Sequence, residues 1–156
     1  MKSSMNEVTE LKASLKKKTK PKQYDLLSTG STLLNLACSG KAHGGFPTGS
    51  YIFMVGDSMS GKTWLSLTCL AEAVLDNKFK DHRFIYDNVE RGARMELSRF
   101  FGQKMVDRLE PPAVDDEGNE VFSTYVEEFY FYLDDAFKDG RPFIYVLDSM
   151  DGLDTF

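Results

Sequence analysis

The spacing of apolar positions changes along the chain, and each change marks an expected element. Met5, Val8, Leu11 and Leu15 recur at helical spacing over residues 5–18, and Pro21 closes that segment. In "YDLLSTGSTLLNLACSG", Ser28 and Thr29 are expected to cap a helix with Leu33, Leu34, Leu36 and Ala37 on its apolar face. "GKAHGGFPTGS" follows as a turn-rich loop, then "YIFMV" (51–55) as a buried strand, aromatic and β-branched between turn signals. Lys62 to about Asn77 is expected to be a helix, with Trp64, Leu67, Ala71 and Val74 on one stripe. "RFIYD" (83–87) predicts a second strand, and residues 92–105 another helix carrying Leu97, Phe101 and Met105. "DRL" offers a very short strand before the polar, Pro-containing loop "EPPAVDDEGNE" (110–120). The clearest helical stripe is Phe122, Tyr125, Val126, Phe129, Leu133, Ala136 and Phe137, ended by "DGRP" before the third strand, "PFIYVLD" (142–148). Its aromatics are expected in the core.

Strands alternating with helices predict an α/β domain built on a mainly parallel sheet with flanking helices. In such sheets ligands bind outside the carboxyl ends of the strands. The loop after Val55 and the carboxylate of Asp148 both fall at strand ends of this kind.

Composition changes this picture little. The 156 residues, 42% hydrophobic and 28% charged, suit one globular domain with its own core. No apolar run approaches the roughly 18 residues that a membrane span requires, so no membrane partner is expected. The basic N-terminus lacks the apolar stretch of a secretory signal. Cys38 and Cys69 stand apart without metal-ligand or redox spacing, and His43 and His82 have no ligand-spaced companions. Reduced thiols in a cytoplasmic protein without a structural metal are expected, in the host cytoplasm if the gene is phage-borne. Charge is more informative. Residues 1–23 carry seven lysines against Glu7 and Glu10, a net of +5, while the other 12 basic and 22 acidic residues give −10. Residues 1–23 are therefore read as a basic arm, either solvated or in contact with nucleic acid or a neighbouring subunit, and 24–156 as the domain.

The candidate chemistry lies in "GDSMSGKT". Gly56-x4-Gly61-Lys62-Thr63 is a complete P-loop pattern, set between an expected strand and an expected helix. Glycine lets the backbone fold around an anion so that successive N–H groups of Gly56, Asp57, Ser58, Met59, Ser60, Gly61, Lys62 and Thr63 can face it. The helix that follows adds unpaired N–H groups and a positive dipole end. In that pattern Lys62 neutralises the β- and γ-phosphates of ATP, and the Thr63 hydroxyl ligates Mg²⁺. Asp148, ending an apolar strand, suits the carboxylate that holds Mg²⁺ through water; a lone Asp there is otherwise a turn former. Hydrolysis also needs a group to orient water. "YDNVERG" offers Asp87 and Glu90, and Glu90 can equally be an acid at a helix N-terminus. No Asn-Lys-x-Asp guanine signature is present, and no cluster of arginines resembling a lid.

Together these residues resemble the ATPase core of the RecA family of recombinases. The resemblance runs from "LLSTGSTLLNLACSG" through "GGFPTGSYIFMVGDSMSGKT", similar to the family's lead-in and Walker A loop, to "PFIYVLDSMDGL", similar to its Walker B strand. It implies a P-loop NTPase with a RecA-like core over roughly residues 24–156, and the aromatic helix and Pro-rich loop suggest a divergent, phage-type branch. It further implies an ATP-hydrolysing recombination and repair protein that assembles as a homo-oligomer or filament on single-stranded DNA. The family's catalytic glutamate follows its strand as Asp-x-Glu; here an extra residue separates Asp87 from Glu90. The family also carries DNA-binding loops and further strands after Walker B, so this sequence is expected to be the N-terminal part of a longer protein. A RecA-like helicase, a KaiC-type ATPase and a non-enzymatic nucleotide-binding module share the same motifs.

Overall fold

A computed structural model of the chain describes residues 24–156. The basic arm and the helix expected over 5–18 lie outside the described residues. The centre is a pair of parallel strands, β3 (Arg83–Asp87) and β6 (Phe143–Leu147), in register from Arg83↔Phe143 to Asp87↔Leu147. Both are short, apolar and rich in β-branched and aromatic residues, which fits strands covered on two faces. The other strands, numbered in chain order, are two-residue pieces. β1 (Leu26–Leu27) pairs with β2 (Phe46–Pro47), and β4 (Ala113–Val114) pairs with β5 (Glu120–Val121). The chain is thus a mixed α/β fold with a small parallel sheet.

Alternation along the strands assigns each helix to a face. Phe84, Tyr86, Ile144 and Val146 meet Leu67, Leu70 and Ala73 of helix α2 (Lys62–Leu75) in one core, with Phe79 and Met105. Leu67 and Leu70 are fully buried, each stabilising the fold by about 1.5–3 kcal/mol. The opposite face carries Phe143 and Tyr145, which pack edge-on against Phe137 and Phe129 of α5 (Val126–Asp139) with ring centroids 5.1 and 5.6 Å apart. α5 starts where Glu128 accepts the Thr124 and Tyr125 N–H groups, at 2.7 and 3.2 Å, and stops at Gly140 in the left-handed conformation. Arg83 joins the layers: it makes two 2.6 Å bonds to the Glu110 carboxylate and lies 3.4 Å from Asp139 at the end of α5.

Several expectations are corrected. Helix α1 (Thr32–Ser39) is capped by Ser31, not Ser28 or Thr29. Leu33 and Leu36 turn outward, 80% and 45% exposed, while Leu34 is half-buried and polar Asn35 is buried. Asn35 Oδ1 accepts from the Thr29 N–H at 2.9 Å and its hydroxyl at 2.8 Å, and Asn35 Nδ2 donates to the Ala42 carbonyl at 3.1 Å. A polar residue that satisfies a lead-in turn has displaced the apolar face from the interior. On α2 the buried stripe is Ser66, Leu67, Cys69, Leu70 and Ala73. Trp64 is half exposed, packed 5.1 Å from the rings of both Phe100 and Phe101. The helix expected over 92–105 is instead two short ones, α3 (Leu97–Phe101) and α4 (Gln103–Arg108), because Gly102 between them has φ +86°. "DRL" supplies a single bridge, Leu109 beside Phe84, and the loop 110–120 contains the β4–β5 hairpin. Of the aromatics on the expected stripe, Phe129 is buried, whereas Phe137 is exposed at the far end of α5.

The largest correction concerns 51–55. No strand forms there among the described residues, and Tyr51, Phe53 and Val55 are 72%, 67% and 81% exposed. A strand exists only through its ladder, and no described segment pairs with this one.

Candidate nucleotide-binding site

The loop from Gly56 to Gly61 turns on itself through the Ser60 N–H, which donates to the Asp57 carbonyl at 3.2 Å. Two residues adopt positive φ, Met59 at +61° and Gly61 at +94°. A Cβ on Gly56 would stand 2.8 Å from Ser60 Oγ, so a side chain there would displace the Ser60 hydroxyl. Gly61 is the N-cap of α2. No side chain caps this helix and its first turn contains no acid. The first N–H groups of an α-helix have no acceptor within the helix, and among the described residues no side chain supplies one. The positive end of the helix dipole therefore faces the loop unopposed. Lys62 Nζ folds back over the same loop and donates to the carbonyls of Gly56 at 2.7 Å and Asp57 at 2.9 Å. Two neutral carbonyls orient the ammonium without cancelling its charge. The arrangement concentrates positive potential at the turn before α2, which suits an anion.

α2 also relates this loop to the sheet. The short connection Asp76–His82 joins the end of α2 to the start of β3, held where Arg108 donates to the carbonyls of Phe79 and His82. Leu67, Leu70 and Ala73 of α2 pack on the face of the sheet that carries Phe84, Tyr86, Ile144 and Val146. Asp148 follows β6 directly and continues the alternation of Ile144 and Val146, on the side covered by α2. The Tyr86 hydroxyl donates to Asp148 Oδ2 at 2.8 Å. Burial first, and then the Asp148 carboxylate, raise the phenol's pKa well above its ordinary value, so the hydroxyl remains a donor. Neither Asp148 Oδ1 nor the Thr63 hydroxyl makes a hydrogen bond among the described residues.

The structure separates the two acids that sequence left open. Glu90 is exposed in a turn beyond β3, seven residues before α3 begins at Leu97, so it is not a helix N-terminal acid. Its N–H donates to the Asp148 carbonyl at 3.3 Å, and its Oε1 accepts a hydrogen bond from Ser149 Oγ. Asp87 is buried and committed elsewhere. Its carboxylate accepts from the Ser123 N–H at 3.0 Å, the Ser123 hydroxyl at 2.5 Å and the Tyr145 hydroxyl at 2.8 Å. Tyr145 likewise has a raised pKa, through burial and then through Asp87.

Glu90 and Asp148 are thus brought together at the ends of the paired strands, while Asp87 faces the α5 layer. No hydrogen bond joins the loop 56–63 to either acid among the described residues. Sequence reasoning missed Tyr86 and Ser149. The signal for Tyr86 was its even position in "RFIYD", which falls on Asp148's face only once the register of the strands is known. A cavity of about 560 Å³ lies at the other end of α2, lined by Ser28, Thr32, His43, Glu72, Asp76 and Phe79, and shares no residue with the loop. Among the described residues no three His, Cys, Asp or Glu side chains gather as a metal cluster, and no helix is long and apolar enough to cross a membrane. No family model, curated protein or solved structure matches the chain.

Proposed function

We propose that residues 24–156 form the nucleotide-binding part of a RecA-like P-loop ATPase acting in DNA recombination and repair, with ATP and Mg²⁺ as ligands and single-stranded DNA as the substrate of a homo-oligomer or filament. The observation that carries the nucleotide reading is the Lys62 ammonium, held over the loop carbonyls at the uncapped start of α2. The donor set fits a Mg²⁺–triphosphate: an unopposed helix N-terminus, a hydroxyl and a carboxylate oxygen without partners among the described residues, and no first-turn acid to repel phosphate. Bound Mg²⁺ would neutralise charge on the β- and γ-phosphates. The backbone N–H groups of 56–63 would bind phosphate oxygens, with Lys62 exchanging its carbonyl partners for them. Thr63 would ligate the ion directly and Asp148 through water. Glu90, exposed and hydrogen-bonded to Ser149 next to Asp148, is assigned to orient the attacking water.

Titration calorimetry with ATP and MgCl₂ tests the nucleotide step. Wild type is expected to bind, and Lys62→Ala to lose affinity by roughly 100-fold or more, as removal of a charged hydrogen-bond partner implies. Thermal stability should remain near wild type, since this side chain contributes nothing to the core. Equal affinities would remove Lys62 from the site. ATPase rate against single-stranded DNA tests the recombination step, and a flat titration would oppose it.

A further inference from the structure

Tyr86 has no part in the P-loop pattern, yet it is the residue whose side chain holds the acid that ends β6. We infer that Tyr86 is a positioning residue for Asp148: its hydroxyl occupies Oδ2 at 2.8 Å and leaves Oδ1 for the Mg²⁺-bound water. This inference rests on the proposed function and extends it.

The geometry favours positioning over general packing. A carboxylate following a strand rotates freely unless one oxygen is held, and a rotating ligand binds an ion less well because ordering it costs entropy. Register supplies the donor. Tyr86 pairs with Val146 across the parallel ladder, so a side chain from the neighbouring strand and the same face reaches the residue two places beyond Val146. The tyrosine ring packs against the core formed by α2, which orients the hydroxyl. Tyr145 provides an internal comparison, since its hydroxyl makes a 2.8 Å bond to Asp87 on the opposite face. Two tyrosines on neighbouring strands therefore make matched hydroxyl–carboxylate bonds, and only one of them involves Asp148.

The test measures ATP affinity of the full chain by calorimetry, in MgCl₂ and in EDTA, for wild type, Tyr86→Phe, Tyr145→Phe, Asp148→Asn and the Tyr86→Phe/Asp148→Asn double variant. Tyr86→Phe keeps the packed ring, and circular dichroism checks each fold. The expected result is a roughly ten- to hundredfold loss of affinity in MgCl₂ for Tyr86→Phe, the usual cost of removing the partner that holds a metal-site carboxylate, with affinity in EDTA unchanged. The loss should vanish in the Asp148→Asn background, because Tyr86 acts through that carboxylate. Tyr145→Phe should lower the thermal midpoint and leave the Mg²⁺ dependence as in wild type. The inference is overturned if Tyr86→Phe keeps the wild-type Mg²⁺ dependence, if it weakens binding equally in EDTA, or if its effect persists beside Asp148→Asn. Absence of ATP binding by wild type in both buffers would instead sink the proposed function, and this assignment with it.

Discussion

Asp87→Ala discriminates between a structural and a catalytic carboxylate. Asp87 is 5% exposed and accepts three hydrogen bonds, from the N–H and hydroxyl of Ser123 and from the Tyr145 hydroxyl. A hydrogen bond to a charged group is worth about 1.5–3 kcal/mol, and truncation also strands the donors that made it. Ser123 is itself buried, so its two donors gain little from water, whereas half-buried Tyr145 can recover part of its loss. Discounting the third bond for that recovery gives a destabilisation of about 3–5 kcal/mol, a large share of the 5–15 kcal/mol typical of a domain. Urea denaturation followed by circular dichroism should show the midpoint lowered by roughly 2 M at an ordinary denaturant slope. Glu90→Gln, changing an exposed turn residue, should leave the midpoint close to wild type and remove ATP hydrolysis while keeping binding. The reasoning fails if Asp87→Ala unfolds at the wild-type midpoint. It fails equally if a folded Asp87 variant loses hydrolysis while Glu90→Gln retains it, since the water-orienting role would then belong to Asp87.

Two other perturbations probe the loop and the acid limb of stability. Gly61→Ala forces an L side chain into φ +94°, so it should cost about 1–2 kcal/mol and weaken ATP binding several-fold; unchanged denaturation and calorimetry would show that the loop does not need this geometry. Burial holds the His82 imidazole below its ordinary pKa of 6.5, with Arg108 acting in the same direction and Asp81 against it. Its Nδ1 is buried without a hydrogen-bond partner among the described residues. The unfolded chain therefore binds this proton more readily, and stability is intact above pH 6.5 and falls as pH drops towards the lowered folded value. His82→Gln should flatten the stability profile below about pH 6.5, and an unchanged slope would assign the loss to other groups.

Local pattern was a sound guide wherever one segment could satisfy its own backbone or was covered on both faces. β3 and β6 appear where "RFIYD" and "PFIYVLD" predicted them, and α2 starts at Lys62. The same guide failed where a partner decides the outcome. "YIFMV" has the composition of a buried strand, but a ladder needs a neighbour, and composition does not contain one. Leu33 and Leu36 mark an apolar helical face that lies outward, because the buried hydrogen-bonding demands of Thr29 and Ala42 turn Asn35 inward. Gly102 falls inside the helix expected over 92–105, and its positive φ divides that helix in two.

By itself, the sequence determined the chemistry on offer: a glycine-bounded loop ahead of a helix, a lysine and a hydroxyl at its start, and acids after two strands. These follow from short-range rules of backbone freedom and spacing, which require no knowledge of distant residues. Only the tertiary structure decided which acid is spent on the core and which stays in solvent, and which tyrosine reaches Asp148. Those outcomes depend on strand register and on which face each helix covers. Both arise from contacts between residues as far apart as Asp87 and Ser123 or Tyr86 and Asp148, where no local periodicity operates.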